Sequence, residues 1–483
     1  MKIVFFFLIM FLAGCSTSLP EAETVDALPP VFPDYVGVTV PVNVAPLNFK
    51  LADSRDDVRV HFQSGTDGFV VPGSNGKVKI PASKWKKLLE KTVGKSFDVT
   101  VYVSGKQGWK QYRSFPVYVA NEPMDSHLAY RLIEPGYELW NRMGIYQRNL
   151  ETYKQTAILE NKMTGSSCMN CHSFCMQDPD KMLFHLRETY PGTMLIKDGK
   201  IEKLNTKTEQ TISNLVYPSW HPDGRYIAFS VNKTKQAFHM NDRNRIEVFD
   251  EASDVVVYDS EAHEIITAPV LFSEGRWETF PSFSPDGKTL YFCSAEPRPI
   301  AEFEQIRYSL CSVSFDPEGR TFGSVVDTLY NAADGKSASF PRVSPDGRYL
   351  LYTLSGYGNF SIWHKDADLY LVDLHSGTTW PVDEVNSNDV ESYHSWSHNS
   401  RWIVFSSRRI DGLYTRPYFA YIDESGKAGK PFLLPQKDPD FYHRFMKSYN
   451  IPEFITGKVK ARSSAIAVKA KKGSGVNVKF EKD

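Results

Sequence analysis

Pro218-Ser-Trp-His-Pro-Asp-Gly-Arg-Tyr-Ile-Ala-Phe-Ser230 is the stretch whose reading decides the fold. Apolar and aromatic segments flank a Pro-Asp-Gly, in which proline presets φ and glycine supplies a positive φ, so the unit reads strand, turn, strand. It returns as Pro281-Ser-Phe-Ser-Pro-Asp-Gly-Lys-Thr-Leu-Tyr-Phe-Cys293 and as Pro341-Arg-Val-Ser-Pro-Asp-Gly-Arg-Tyr-Leu-Leu-Tyr-Thr353. A degenerate fourth copy is His394-Ser-Trp-Ser-His-Asn-Ser-Arg-Trp-Ile-Val-Phe-Ser406. The copies start 63, 60 and 53 residues apart, more than the roughly 40–45 residues of a minimal propeller blade, so each carries extra loop. Asp223, Asp286 and Asp346 therefore read as turn residues and not as catalytic carboxylates.

The pattern resembles the WD40-like repeats of TolB-type β-propellers over roughly residues 191–440. That resemblance implies six blades, with the unmarked ones expected at residues 191–214 and 415–483. The rest of the 483-residue chain divides by composition. Residues 1–14 carry one charge, Lys2, and an apolar run from Ile3 to Leu12, as an export signal does. The Leu12-Ala13-Gly14-Cys15 ending resembles a bacterial lipoprotein signal, which implies acylation of Cys15 as the mature first residue and attachment to a membrane. Residues 15–30 are polar and proline-bearing, an expected tether. Residues 31–122 alternate in polarity at Val36, Val58, Lys77 and Phe97 onward, as half-buried strands do, with one helix expected at Lys84–Lys91, capped by Ser83 and ended before Gly94.

Charge and hydropathy exclude several classes. Lys plus Arg total 56 against 57 Asp plus Glu, a net charge of −1; a nucleic-acid partner, which wants a basic face, is not expected. After the first fifteen residues no apolar run approaches a bilayer span. There is no Gly-x-Ser-x-Gly elbow, His-Glu-x-x-His helix or phosphate loop, so no hydrolase apparatus accompanies the repeats. Eight basic residues against two acidic ones between Lys458 and Asp483 make a basic C-terminal tail or closing strand.

The chemistry sits in Cys168-Met-Asn-Cys171-His172, the attachment pattern of c-type haem. Two thiols at this spacing reach both vinyl groups, and the adjacent histidine is placed to bind the iron axially. With Cys175 the same run offers a Cys3His zinc set, and a redox or structural disulfide is a third reading. For a haem, Met182 or His185 is expected as the distal ligand, from one helix beside the motif; Met176, His239 and Met240 are further candidates. Cys293 and Cys311 lie in strand-like sequence of one blade and form a possible disulfide.

The expected fold is thus mainly β: a β-sandwich-like domain (31–122), a short helical haem-binding connector (123–190), a TolB-like β-propeller (191–455) and the basic tail (456–483). This order of parts resembles a group of Bacteroidetes-type exported lipoproteins often labelled cytochrome c biosynthesis proteins. It implies one covalent haem c, lipid anchorage at the outer membrane, and a redox or envelope protein partner. An electron-carrying cytochrome with a propeller as docking platform is the leading expectation. A non-redox envelope scaffold or ligand-binding propeller is the alternative, and a peroxidase-like haem enzyme is the third.

Overall fold

The computed structural model describes residues 18–481, apart from Asp53, residues 135–141, Met240, Asn241, Arg243 and Gly473. The export signal and Cys15 lie outside the described residues. The chain is mainly β, with six successive sheets after a smaller N-terminal unit. Among the described residues no helix is long and apolar enough to cross a membrane.

The N-terminal unit pairs a seven-stranded and a three-stranded sheet around Trp85 and Phe97. Its helix is Ala82–Lys91, with Pro81 and not Ser83 at the N-cap. Proline's fixed φ and extended ψ set the helix boundary two residues earlier, so Ser83 falls inside the helix. Ala22–Val25, expected as tether, is an edge strand parallel to Gly108–Tyr112. The unit shares one apolar cluster with the fifth and sixth sheets. Across that junction the Trp402 indole donates to the Glu122 carbonyl (3.0 Å), and Lys430 pairs with Asp34 (2.8 Å).

The first sheet comprises His127–Ile133, Gly144–Asn149 and Gln155–Glu160, and Ser448–Ile455 adds antiparallel to His127–Ile133. The second runs Cys168–Phe174, Lys181–Arg187, Gly192–Lys197 and Lys200–Asn205; the third begins at Val216–Trp220 and contains the long hairpin Tyr226–Phe238 and Ile246–Asp259. The fourth, fifth and sixth begin at Trp277–Phe283, Ser337–Val343 and Glu391–Trp396. These opening strands contact one another in order, the last touches Ser448–Ile455, and that strand touches Cys168–Phe174.

Residues 123–190, expected as a helical connector, are therefore strands of the first two sheets. Helix-compatible runs such as Met182–Arg187 are buried almost throughout, and a strand covered on both faces reads as a continuous apolar run without period. The two sheets without a copy of the repeat turn come from residues 127–205 and the C-terminal strand: Gly192–Lys197, Lys200–Asn205 and Ser448–Ile455 fall in the expected ranges 191–214 and 415–483, and the other strands named above for these two sheets lie before residue 191. The tail folds back as well: helix Ser463–Lys471, then Val476–Asn477 and Lys479–Phe480, which pair with outer strands of the second and third sheets.

The repeat turns are built as expected. Asp286 accepts hydrogen bonds from the Ser284 hydroxyl (2.5 Å) and the Lys288 amide (3.0 Å), and Asp346 repeats this with Ser344 and Arg348. Gly287 and Gly347 hold φ of +73° and +75°. A Cβ on Gly287 would collide with the His221 ring, whereas one on Gly347 meets nothing within 4 Å. Gly347→Ala is thus expected to cost only the left-handed backbone penalty, about 1–2 kcal/mol, and Gly287→Ala clearly more, in urea unfolding; equal losses would remove the role given to His221.

Candidate functional site

Each opening strand breaks its ladder at one level. The register slips between Asn170 and Ser173, Val216 and Ser219, Thr279 and Ser282, Ser339 and Arg342, and Ser392 and Ser395. At each slip, and at Ile451 in the C-terminal strand, one residue has positive φ: Cys171 (50°), Tyr217 (50°), Phe280 (52°), Phe340 (53°), Tyr393 (45°) and Ile451 (50°). These are β-bulges, which turn an extra side chain out of the ladder. All six residues line one cavity of about 130 Å³.

Four of them form an aromatic arc. Ring centroids of Tyr217 and Phe280 are 4.6 Å apart, those of Phe280 and Phe340 4.2 Å, and those of Phe340 and Tyr393 4.7 Å. Ile451 and Cys171 fill the gap in this collar. The residue after the bulge is Pro218, Pro281, Pro341 or Pro452 in four strands, and His172 or His394 in the other two.

The cysteine motif is therefore a further copy of the repeat. Cys171-His-Ser-Phe-Cys175 stands where Phe280-Pro-Ser-Phe-Ser284 stands in the fourth sheet, and Ile451-Pro-Glu-Phe454 completes the set. Alignment on the bulge pair, and not on Pro-Asp-Gly, is the signal that finds both. It also accounts for Cys175, which takes the place of the turn serines Ser284 and Ser344. Its thiol is buried against the third sheet's Trp220, and burial pushes it up to about 11.

His172 is 3% exposed, and neither ring nitrogen has a sound hydrogen-bond partner. Burial first, then the Arg131 guanidinium, pushes its pKa down to about 3, with a weak opposing pull from the Ile451 backbone. His394, its counterpart, is likewise pushed to about 3 by burial and Arg342, but its Nε2 meets the Leu351 carbonyl at 2.9 Å. Arg131 fixes the motif strand: its guanidinium donates to the Met169 carbonyl (2.8 Å), Asn170 Oδ1 (2.7 Å) and Asn450 Oδ1 (2.7 Å). Asn170 Oδ1 in turn accepts from the Cys171 amide at 2.9 Å. Cys168 is half-buried at the edge of the apolar cluster between the first two sheets; burial raises its thiol pKa, partly offset by Arg131 and Arg187.

The other expected residues are dispersed. Met182 is core between the first two sheets. His185, three residues on in a strand and not a helix, faces the opposite way, its Nδ1 2.7 Å from Thr193 Oγ1. Neither lines the cavity of His172, although Met176 does. Cys293 and Cys311 are free thiols. Phe292 is the register partner of Cys311, so Cys293, one residue off, points to the other face of the sheet, and the two sit in different apolar clusters.

As a test of cofactor chemistry, the donor set separates two readings. Among the described residues no three His, Cys, Asp or Glu side chains come together to hold a metal ion, whereas structural zinc needs four donors. A haem iron takes only one or two protein donors; the free thiol of Cys171 and the His172 imidazole share one cavity, while Cys168, also a free thiol, packs against the cluster between the first two sheets and does not line it.

No family model matches the chain, and no curated protein is detectably similar. Among solved structures it is similar to a DUF4784 family protein from Bacteroides caccae (8% identity, 73% of this chain and 94% of that one, TM-score 0.30). It is also similar to prolyl oligopeptidase B from Galerina marginata (10%, 83% and 62%, TM-score 0.35) and to an ancestral GH74 enzyme (11%, 69% and 44%, TM-score 0.35). The chain spans less than two thirds of the last two, and likenesses this low carry no argument about its function.

Two outcomes follow from the geometry. Alkylation under denaturing conditions without reductant is expected to label both Cys293 and Cys311, as read by peptide mass; an unlabelled pair would mean a disulfide. In the unfolded chain His394 takes a proton below about pH 6.5, while folding holds it neutral down to about 3. The stability it contributes is present above pH 6.5 and is lost as pH falls toward 3. His394→Gln is expected to flatten that loss by ~1.4 kcal/mol per pH unit, measured from urea midpoints between pH 7 and 5.

Proposed function

We propose that the six sheets form a six-bladed β-propeller closed by Ser448–Ile455, and that the protein is an exported, membrane-anchored monohaem c-type cytochrome using that propeller to dock a partner. The observation that carries this reading is the buried imidazole of His172, which meets the Ile451 backbone but makes no hydrogen bond of ordinary geometry, beside a free Cys171. At the same repeat position four strands carry proline, and His394 finds a carbonyl. An unpaired buried polar group costs about 1–3 kcal/mol, which a bond from an iron to the ring would offset. The export signal and Cys15 support attachment at the outer membrane, with a redox or envelope protein as the partner.

When bound, haem supplies a one-electron couple. The chain's own residues do the rest. Cys168 and Cys171 would hold the group covalently and His172 would face its iron. Arg131 keeps the strand and the Cys171 amide in place through Asn170, and burial keeps the His172 ring neutral, the form that ligates a metal.

A second reading, a non-redox scaffold or ligand-binding propeller, is favoured by one observation: the motif coincides with a repeat copy, so its strand has a structural reason to exist without a cofactor. The space beside His172, about 130 Å³, is below the ~300–1,000 Å³ usual for a ligand pocket, which within this reading favours the scaffold over ligand binding at that place.

Protein exported from a host that matures c-type haem is expected to show a reducible Soret band and haem that survives denaturation. Both are expected to disappear in Cys171→Ala with the fold intact by circular dichroism. A folded, colourless wild type would overturn the cytochrome reading and leave the second one.

A further inference from the structure

A second cavity, about 540 Å³, lies on the other side of the collar among the first three sheets. Its lining is mixed polar and apolar, and four of the lining side chains present buried atoms with no partner: Arg131 Nε, Glu134 Oε2, His185 Nε2 and Asn232 Oδ1. His185 is 4% exposed, with its other nitrogen already used by Thr193. Asn232 is oriented by its amide donating to Asp250 Oδ1 at 2.9 Å, which leaves its carbonyl oxygen free toward the cavity. Buried polar atoms are ordinarily satisfied, and four orphans around one space of ligand size ask for a ligand that satisfies them.

Their chemistry defines that ligand. Arg131 and Arg187 both line the cavity, and neither has a carboxylate within ion-pair distance among the described residues. Glu134 is the one acidic group in the lining, with Lys447 at 3.9 Å. With the one lining carboxylate already beside Lys447, the two guanidiniums leave the wall positive, which suits an anion. Guanidinium and carboxylate are matched in plane and can bond in parallel. Asn232 Oδ1 and Glu134 Oε2 only accept, so the ligand must also bring donors. Tyr217 and Phe360 add ring faces to the wall.

We propose that this cavity binds a small hydroxyl-bearing carboxylic acid of monosaccharide size, its carboxylate held by Arg131 and Arg187 and its hydroxyls by Asn232, Glu134 and His185. The site is separate from the one assigned to Cys168, Cys171 and His172 and does not rest on that reading.

Glucuronate, glucose and inorganic phosphate serve as probes in calorimetric titrations at low salt. Glucuronate is expected to bind, glucose to bind at least tenfold more weakly, and phosphate more weakly than glucuronate. Arg187→Ala changes an exposed side chain that makes no ion pair, so the fold is expected to persist; glucuronate affinity should fall about tenfold or more, the loss of one charge-assisted contact. Asn232→Ala should weaken glucuronate without strengthening glucose. Glucose binding as well as glucuronate, phosphate binding better, or an Arg187→Ala variant with wild-type affinity would each overturn the assignment. So would binding to haem-free protein that vanishes once haem is attached, because the guanidiniums would then serve the haem's own carboxylates.

Discussion

One backbone constraint governs the middle of this molecule: five opening strands and the C-terminal strand break their ladders at the same level. An unbroken strand would alternate its side chains between the two neighbouring sheets and send none inward. The bulge turns two successive residues toward the centre, at a cost of about 1–3 kcal/mol for each side chain held at positive φ. The aromatic arc from Tyr217 to Tyr393 offsets that cost by ring packing. Indole donors tie the strands across the sheets: Trp220 to the Ser173 carbonyl at 3.3 Å and Trp396 to the Arg342 carbonyl at 3.1 Å. The collar and the cavity beside His172 are consequences of where the bulges fall.

Much of this is written in the local sequence, because a turn is a local object. Pro-Asp-Gly specifies its hairpin by itself, and Asp286 and Asp346 do what their residue type does in such turns. The first two sheets are less legible for the same reason. Their turns lack Pro-Asp-Gly: Met176 and Gln177 reach positive φ without glycine, and nothing in their side chains announces it. Lys181–Arg187 is covered on both faces, so it has no polarity period to distinguish strand from helix. The pairing of Ser448–Ile455 with His127–Ile133 joins residues some 320 positions apart, which no window along the chain can contain. The cysteines follow the same rule: spacing located Cys168, Cys171 and His172, but whether Cys293 meets Cys311 depends on register, and a one-residue offset sends them to opposite faces.

The comparison of His172 with His394 separates what the fold requires from what it does not. Both follow a bulge, both line the same cavity, and burial holds both rings neutral. Proline at four equivalent positions shows that the fold needs no polar group there, and proline leaves no side-chain polar atom unsatisfied. His394 replaces it at little cost because the Leu351 carbonyl takes one nitrogen. His172 has only the Ile451 backbone, and the Arg131 guanidinium, bonded to Asn170 and Asn450, repels a proton on the ring. Packing alone would favour proline or an apolar residue at this position. A neutral buried ring carries one N–H and one lone pair; the Ile451 backbone bears on the His172 ring, and among the described residues no group makes a hydrogen bond of ordinary geometry to either nitrogen.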